Sequence, residues 1–314
     1  MLKVSRSAYY AWAARSVRAD KRQAAVRIAV KDKFYFHKSR YGSRRVSGEL
    51  KDEGMSAGRY LVSRVMREEG LVAKYPKPFK PRTTDSRHTR HASPNLLREL
   101  ESTAFGAGEV LVGDITYLPL AGGGFCYLAM FQDKVTKRIV GWGVSMRMTA
   151  TLVTEALGMA LRRGFVKRNA IIHTDRGSQY ASTEFRQLLK RCRLRQSMSG
   201  KGNCYDNAQA ESFFSRFKTE TETKIFASVE DARREAFDYI DCYYNRIRRH
   251  SSLGGKIPEF EKRLNEQASR GCGNAAHVEI AEKQKTFSLN SHNRLEKPKN
   301  GFPTFPQPLL LDIN

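Results

Sequence analysis

The chain has 314 residues, 40% of them apolar, and 56 Lys and Arg against 32 Asp and Glu, a formal net charge of +24. No apolar run reaches the length of a membrane span and the N-terminal stretch MLKVSRSAYYAWAARS lacks a signal-peptide core, so the expectation is a soluble cytoplasmic protein with no membrane role. Five scattered cysteines without a Cys-x-x-Cys pair exclude a zinc ribbon and a disulfide framework.

The charge is uneven. Residues 1–95 hold 23 basic and 8 acidic side chains, so +15 of the excess falls in the first third. A field of that sign attracts polyphosphate, nucleic acid above all.

In chain order, residues 7–37 read as a helix, with Tyr9, Tyr10, Trp12, Ala24, Ile28 and Val30 spaced for a buried stripe. A helix around Arg44–Glu53, a turn at Gly54-Met55-Ser56 and a helix around Gly58–Glu69 follow, with Val46, Leu50, Leu61, Val65 and Met66 as shared core. Arg59, Arg64 and Arg67 point outward, which suits a helix-turn-helix DNA-binding segment, although many helical hairpins carry arginines on a solvated face. The stretch 74–95, with six Lys or Arg and one Asp, reads as an extended basic linker, either a solvated spacer or a strap on DNA phosphates.

Beyond it, strands at 109–120, 125–133 and 138–146 form an antiparallel meander. A helix at 151–164, a strand at 170–175, a helix at 182–192 and a strand at 194–199 continue the pattern. A helix then opens at Asp206-Asn207, with Gln209 three residues after Asp206, close to a capping box. A further helix is expected from about 228 to 250. That order is an RNase-H-like α/β domain of the integrase type, a mixed five-stranded sheet with flanking helices, preceded by a small all-α helix-turn-helix region. The expected divisions are 1–73 helical region, 74–95 linker, 96–267 catalytic core and 268–314 disordered tail.

In such a sheet the first and fourth strands are neighbours, which brings Asp114 and Asp175 together beside Glu211 on the later helix. An aspartate inside VLVGDI is costly to bury unless paired or metal-bound. Three converging carboxylates repel one another, and oxygen-only ligation favours Mg²⁺, or Mn²⁺, over zinc. Two ions would suit in-line displacement at phosphorus, with Asp114 bridging and Asp175 and Glu211 each completing one site. Lys218, two turns past Glu211, would contact the DNA backbone, and Asn207, one turn before it, would support the site. Arg246, Arg248 and Arg249, beside His250, read as further phosphate contacts, with a solvated helix end as the plain alternative. His173 reads as a hydrogen-bonded structural group, and Tyr243 and Tyr244 as packing residues.

HTDRGSQY (173–180), DNAQAESFFSRFK (206–218) and YNRIRRHSSLGGKIPEF (244–260) closely resemble the integrase-core transposases of bacterial insertion sequences, in particular the second-frame protein of the IS-three family. Between Asp175 and Glu211 lie 35 residues, the family's Asp-Asp-35-Glu spacing. DITYL (114–118), VSRSAYYAW (4–12) and RYGSRRV (40–46) match further motifs, while Leu111 and Gly255 depart from a usual tryptophan and a usual aromatic residue. The resemblance implies a DDE-type transposase that cleaves DNA ends and joins the freed 3′-hydroxyl to another phosphodiester, by way of a circular DNA intermediate. It also implies element terminal repeats and target DNA as partners, a homo-oligomer on DNA, an upstream-frame transposase protein as a further partner, and a nucleoid-associated location. The competing readings are a DNA-binding regulator without catalysis and an RNase-H-like nuclease that only hydrolyses.

Overall fold

The computed structural model describes residues 5–75, 93–100, 103–200 and 208–258. The linker expected at 74–95 falls mostly outside these residues, and the tail at 268–314 wholly so.

Helix α1 (Arg6–Phe36) starts at Ser5, whose hydroxyl accepts the Ala8 N–H. Its buried stripe is Val26, Val30 and Phe34, four residues apart, continued by His37 just past the helix end. The expected stripe is corrected here: Ile28, Tyr9, Tyr10 and Trp12 are all more than half exposed, and Ala24 is exposed too. Ile28 lies two residues from Val26, about 200° around the helix.

Helices α2 (Ser43–Asp52) and α3 (Arg59–Glu68) bury Val46, Leu50, Val62, Val65 and Met66. Val62 takes the central place expected for Leu61, which is only partly buried. Gly54, at φ 81°, makes the turn between them, a conformation that costs other residues a Cβ clash. Arg27 bridges Glu68 and Glu69, and Lys31 also reaches Glu69, lacing α1 to α3.

After the four-residue helix α4 (Leu96–Glu99) come β1 (Val110–Pro119), β2 (Phe125–Asp133), β3 (Ile139–Ser145), α5 (Ala150–Arg162), β4 (Ile171–Thr174), α6 (Thr183–Arg191), β5 (Arg195–Met198), α7 (Ala208–Glu220) and α8 (Val229–Phe237). The sheet order is β3-β2-β1-β4-β5, with β1, β2 and β3 antiparallel and β4 parallel to both β1 and β5. Alternation along the strands sends two apolar sets to opposite faces. Leu111, Ala129, Phe131 and Val140 pack with α5 and α6, while Val112, Leu128, Met130 and Trp142 pack with α7, α8 and the N-terminal helices.

Helix α5 lies hard against β3. A Cβ added at Gly141 would sit 2.1 Å from the Ala156 carbonyl oxygen and 2.9 Å from the Ala160 nitrogen, both backbone atoms with little freedom to retreat. Gly141→Ala is therefore expected to cost about 1–3 kcal/mol, in the range of overpacked cores, as a lowered urea midpoint at unchanged slope.

The helix expected from 228 to 250 is broken. After Phe237 the backbone widens into a π-helical turn, Asp238–Tyr244, with the Asn245 N–H bonded to the Ile240 carbonyl at 3.0 Å. The wider turn lets Tyr239, Ile240, Tyr243 and Tyr244 all face inward, which an α-helix could not arrange as well. Asn245 then clamps β3, accepting from the Ile139 N–H and donating to its carbonyl, both at 2.9 Å.

Candidate active site

The parallel register of β1 and β4 sets the site. Val110 pairs with Ile171 and Gly113 with Thr174, so the next step along each chain is Asp114 and Asp175, on neighbouring backbones about 4.8 Å apart. Both are half-buried, at the edge of the apolar layer. Asp114 Oδ1 accepts the Ile115 N–H at 2.8 Å, and Asp175 Oδ1 accepts the Gly177 N–H at 3.0 Å. The turn after Asp175 is tight: a Cβ on Gly177 would sit 3.0 Å from Asp175 Oδ1 and would displace the Gln179 side chain, whose Oε1 lies at 2.9 Å.

Helix α7 packs across β1 with Ala210, Phe213, Phe214, Phe217 and Glu220 buried. Gln209 anchors its first turn, donating to the Asp133 carbonyl at 3.1 Å and accepting from Lys137 at 2.8 Å. Glu211 and Lys218 fall on the outward face, seven residues apart, both exposed. The Lys218 ammonium lies 4.5 Å from the centre of the Tyr117 ring. Partial desolvation lowers the pKa of that ammonium, although the residue as a whole is exposed, and the Asp114 charge opposes that shift.

Tyr180, in the HTDRGSQY motif, is a site residue the sequence reading passed over. It is buried, its hydroxyl has no hydrogen-bond partner among the described residues, and its pKa is raised by burial and then by the charges of Asp114 and Asp175. That hydroxyl therefore remains a protonated donor beside the carboxylate pair. His173 is structural: it is fully buried, with Nδ1 2.8 Å from Ser197 Oγ and Nε2 3.2 Å from Ser199 Oγ.

Carboxylate oxygens, with an unsatisfied hydroxyl beside them, are the donor chemistry of a hard divalent cation. Among the described residues, however, no three His, Cys, Asp or Glu side chains form a group able to hold a metal. The fold juxtaposes Asp114 and Asp175 across the strand pair, while Glu211 stands apart on α7. Asp206 and Asn207 lie outside the described residues.

The basic residues divide. Arg59, Arg67 and Arg246 are exposed, and Arg64 is paired with Glu68 at 3.7 Å. Arg248 is a correction: it is 3% exposed and holds Glu220 through bonds of 2.8 and 2.6 Å, so its guanidinium is consumed inside the protein. Arg249 is ion-paired with Asp52 of α2. The charge run at 246–249 gave no sign of this, because sequence does not reveal which cation has a buried partner.

A mixed sheet of this order, two aspartates side by side on its central strands and a glutamate-bearing helix across them define the class of integrase-type, RNase-H-like polynucleotidyl transferases. The chain matches the integrase core domain family over residues 106–204 and again, in a second integrase core family, over 192–258, with an HTH-like domain over 20–79. It is 42% identical over 271 residues to the transposase InsF for insertion sequence IS3A of Escherichia coli (strain K12), covering 84% of this chain and 92% of that one. It is 37% identical over 270 residues to the insertion element IS600 uncharacterized 31 kDa protein of Shigella sonnei, covering 85% and 98%. A simian T-cell lymphotropic virus intasome chain has a TM-score of 0.42 at 13% identity, covering 89% of this chain and 80% of that one. At that score the fold rests on the sheet topology and the family matches. The chain belongs to the IS3 family of insertion-sequence transposases.

Proposed function

We propose that this transposase cleaves the ends of its element by metal-assisted hydrolysis and joins the freed 3′-hydroxyl to target DNA, with Asp114, Asp175 and Glu211 as the metal-holding carboxylates. The observation that carries the reading is the β1–β4 register, which sets Asp114 beside Asp175 under a helix bearing Glu211. A pair of Mg²⁺ or Mn²⁺ ions, when bound, offsets the carboxylate repulsion and supplies charge stabilisation to the attacking and leaving oxygens. Lys218, fixed over Tyr117, holds a backbone phosphate in register with Asp114 without reading sequence. No tyrosine nucleophile is required, in keeping with the burial of Tyr243 and Tyr244.

Recognition of terminal repeats falls to the N-terminal helical region, 1–73, through Arg59, Arg64 and Arg67, with Arg246 adding a phosphate contact. The linker at 74–95 and the core at 96–267 complete the division of labour. Pairing two DNA ends calls for a homo-oligomer on DNA, in the bacterial cytoplasm. An upstream-frame protein as partner belongs to the same proposal. Among the described residues, no helix is long and apolar enough to cross a membrane.

The test is a strand-transfer assay on labelled element ends with Mg²⁺ or Mn²⁺. Joined products are the expected result. Cleavage without joining would replace the transposase with a nuclease, and binding alone would replace it with a regulator.

A further inference from the structure

Beside α7, on the flank away from Glu211, lies a cavity of about 330 Å³ that the chemistry above does not use. Its walls come from α2 (Arg45), the β2–β3 turn (Lys137), α7 (Ser212 and Arg216) and the segment after the π-helical turn (His250). Among the described residues, no acidic side chain lines it.

Three observations bear on its occupant. First, Arg45, Lys137, Arg216 and Arg248 all line the cavity, and the one acid among the described residues that acts on Arg45, Glu220, is already held by Arg248. Arg45 has its pKa lowered by burial and then by the neighbouring Arg248 charge; the Glu220 charge opposes this only in part, and Arg216 adds to the lowering. Arg248 has Glu220, but Arg45 meets only the Tyr41 ring, at 5.4 Å, among the contacts of the described residues. Holding like charges together in a half-buried wall is costly unless an anion joins them. Second, His250 and Gln132 line the cavity, and among the described residues the buried His250 Nε2 and Gln132 Oε1 have no hydrogen-bond partner. Groups of that kind are rarely left unsatisfied in a folded protein. Third, the first turn of α7 lines the cavity at Ala208 and Gln209, and the N-terminal end of a helix favours negative charge.

We infer that this cavity is a seat for one DNA backbone phosphate, clamped between Arg45 of the helix-turn-helix region and Arg216 of the catalytic core. It rests on the proposed action on DNA but is separate from the carboxylate site. A single phosphodiester held by both domains locks the recognition region and the core in one register on the same duplex. The RYGSRRV motif thereby acquires a role: Arg40 and Tyr41 fasten α2 to the core, through the Glu220 carbonyl at 2.8 Å and the Arg249 N–H at 2.7 Å, and Arg45 faces the cavity.

The test reads DNA affinity against salt in a Glu211→Gln background, so that it is independent of catalysis. Each phosphate contact contributes about 0.9 to the slope of log K against log salt. Arg45→Gln and Arg216→Gln are each expected to lower that slope by about 1 and weaken binding about tenfold, with Arg45→Lys and Arg216→Lys restoring most of it. Ser212→Glu, an exposed change on α7, is expected to do the same without touching the core. Circular dichroism melts check that each variant is folded. Inorganic phosphate, titrated in a thermal-shift assay, separates the two sources of the anion. Slopes unchanged in Arg45→Gln, Arg216→Gln and Ser212→Glu overturn the inference. If phosphate stabilises the wild type while those slopes stay unchanged, the seat belongs to a small free anion, and the DNA assignment is equally overturned. If joining fails in the wild type while the slopes fall as expected, the catalytic reading is lost and this one stands.

Discussion

Glu211→Gln is expected to reduce both cleavage and joining on the order of 10³-fold or more, the scale of removing one pre-organised electrostatic group, with DNA affinity nearly unchanged. The change removes a charge but almost no volume. Glu211 is exposed on the outer face of α7, so no packing is lost, and the buried Ala210, Phe213, Phe214 and Phe217 still dock the helix. On the proposed mechanism, what changes is the capacity to share a cation with Asp114 and Asp175. The check is single-turnover cleavage and joining in Mg²⁺ and in Mn²⁺, beside a filter-binding isotherm on the same DNA ends. Joining at the wild-type rate would remove Glu211 from the site and leave the two strand aspartates to be explained alone. Binding lost together with joining would make Glu211 a structural residue.

The largest stability effect is expected at Glu220. The residue is 1% exposed and ties α7 to three other segments: Arg248 bonds both carboxylate oxygens, the Tyr239 hydroxyl donates to one of them at 2.9 Å, and Arg40 donates to the Glu220 backbone carbonyl at 2.8 Å. Glu220→Gln leaves the Arg248 charge buried without a counter-ion, a change that costs about 3–5 kcal/mol in comparable buried pairs. The measurement is urea unfolding of each variant. A Glu220→Leu, Arg248→Met double variant should recover most of the loss, because an apolar pair of similar size avoids desolvating two charges.

Acid should expose the same pair. Burial pushes the Glu220 pKa up, but the Arg248 hydrogen bonds and charge outweigh it, so the folded value lies below the ordinary one. A depressed carboxylate stabilises the fold fully above its unfolded pKa, about 4.3, and the contribution is lost as pH falls through the lower folded value. Below pH ~4 the wild type should therefore lose stability more steeply than Glu220→Gln. Parallel curves would show that Glu220 is not the group being titrated.

Glu220 also shows where the sequence stops being informative. It reads as one more charge at the end of an amphipathic helix, and Arg248 as one of a run of surface cations. Their pairing joins residues 28 positions apart through a π-helical turn with no local signature. Tyr180 is a similar case. It ends a readable motif, but its hydroxyl matters only because β1 and β4 bring Asp114 and Asp175 beside it. The cavity lined by Arg45 and Arg216 draws on two regions that sequence treats separately.

The sequence by itself determined the order of strands and helices and most of their limits. The strand expected at 109–120 is Val110–Pro119, and the helix expected at 182–192 is Thr183–Arg191. Those signals are local: apolar alternation, glycine turns, and a serine cap that holds the Phe185 N–H. It also marked out three carboxylates by type and spacing as candidates, of which the β1–β4 register juxtaposes Asp114 and Asp175. Only the tertiary structure decided which face of α1 is buried, where the last long helix gives way to a π-helical turn, and which arginines are spent inside the protein. Each depends on what a side chain meets across the fold, because whether a charge is paired or solvated is set by its neighbours in space.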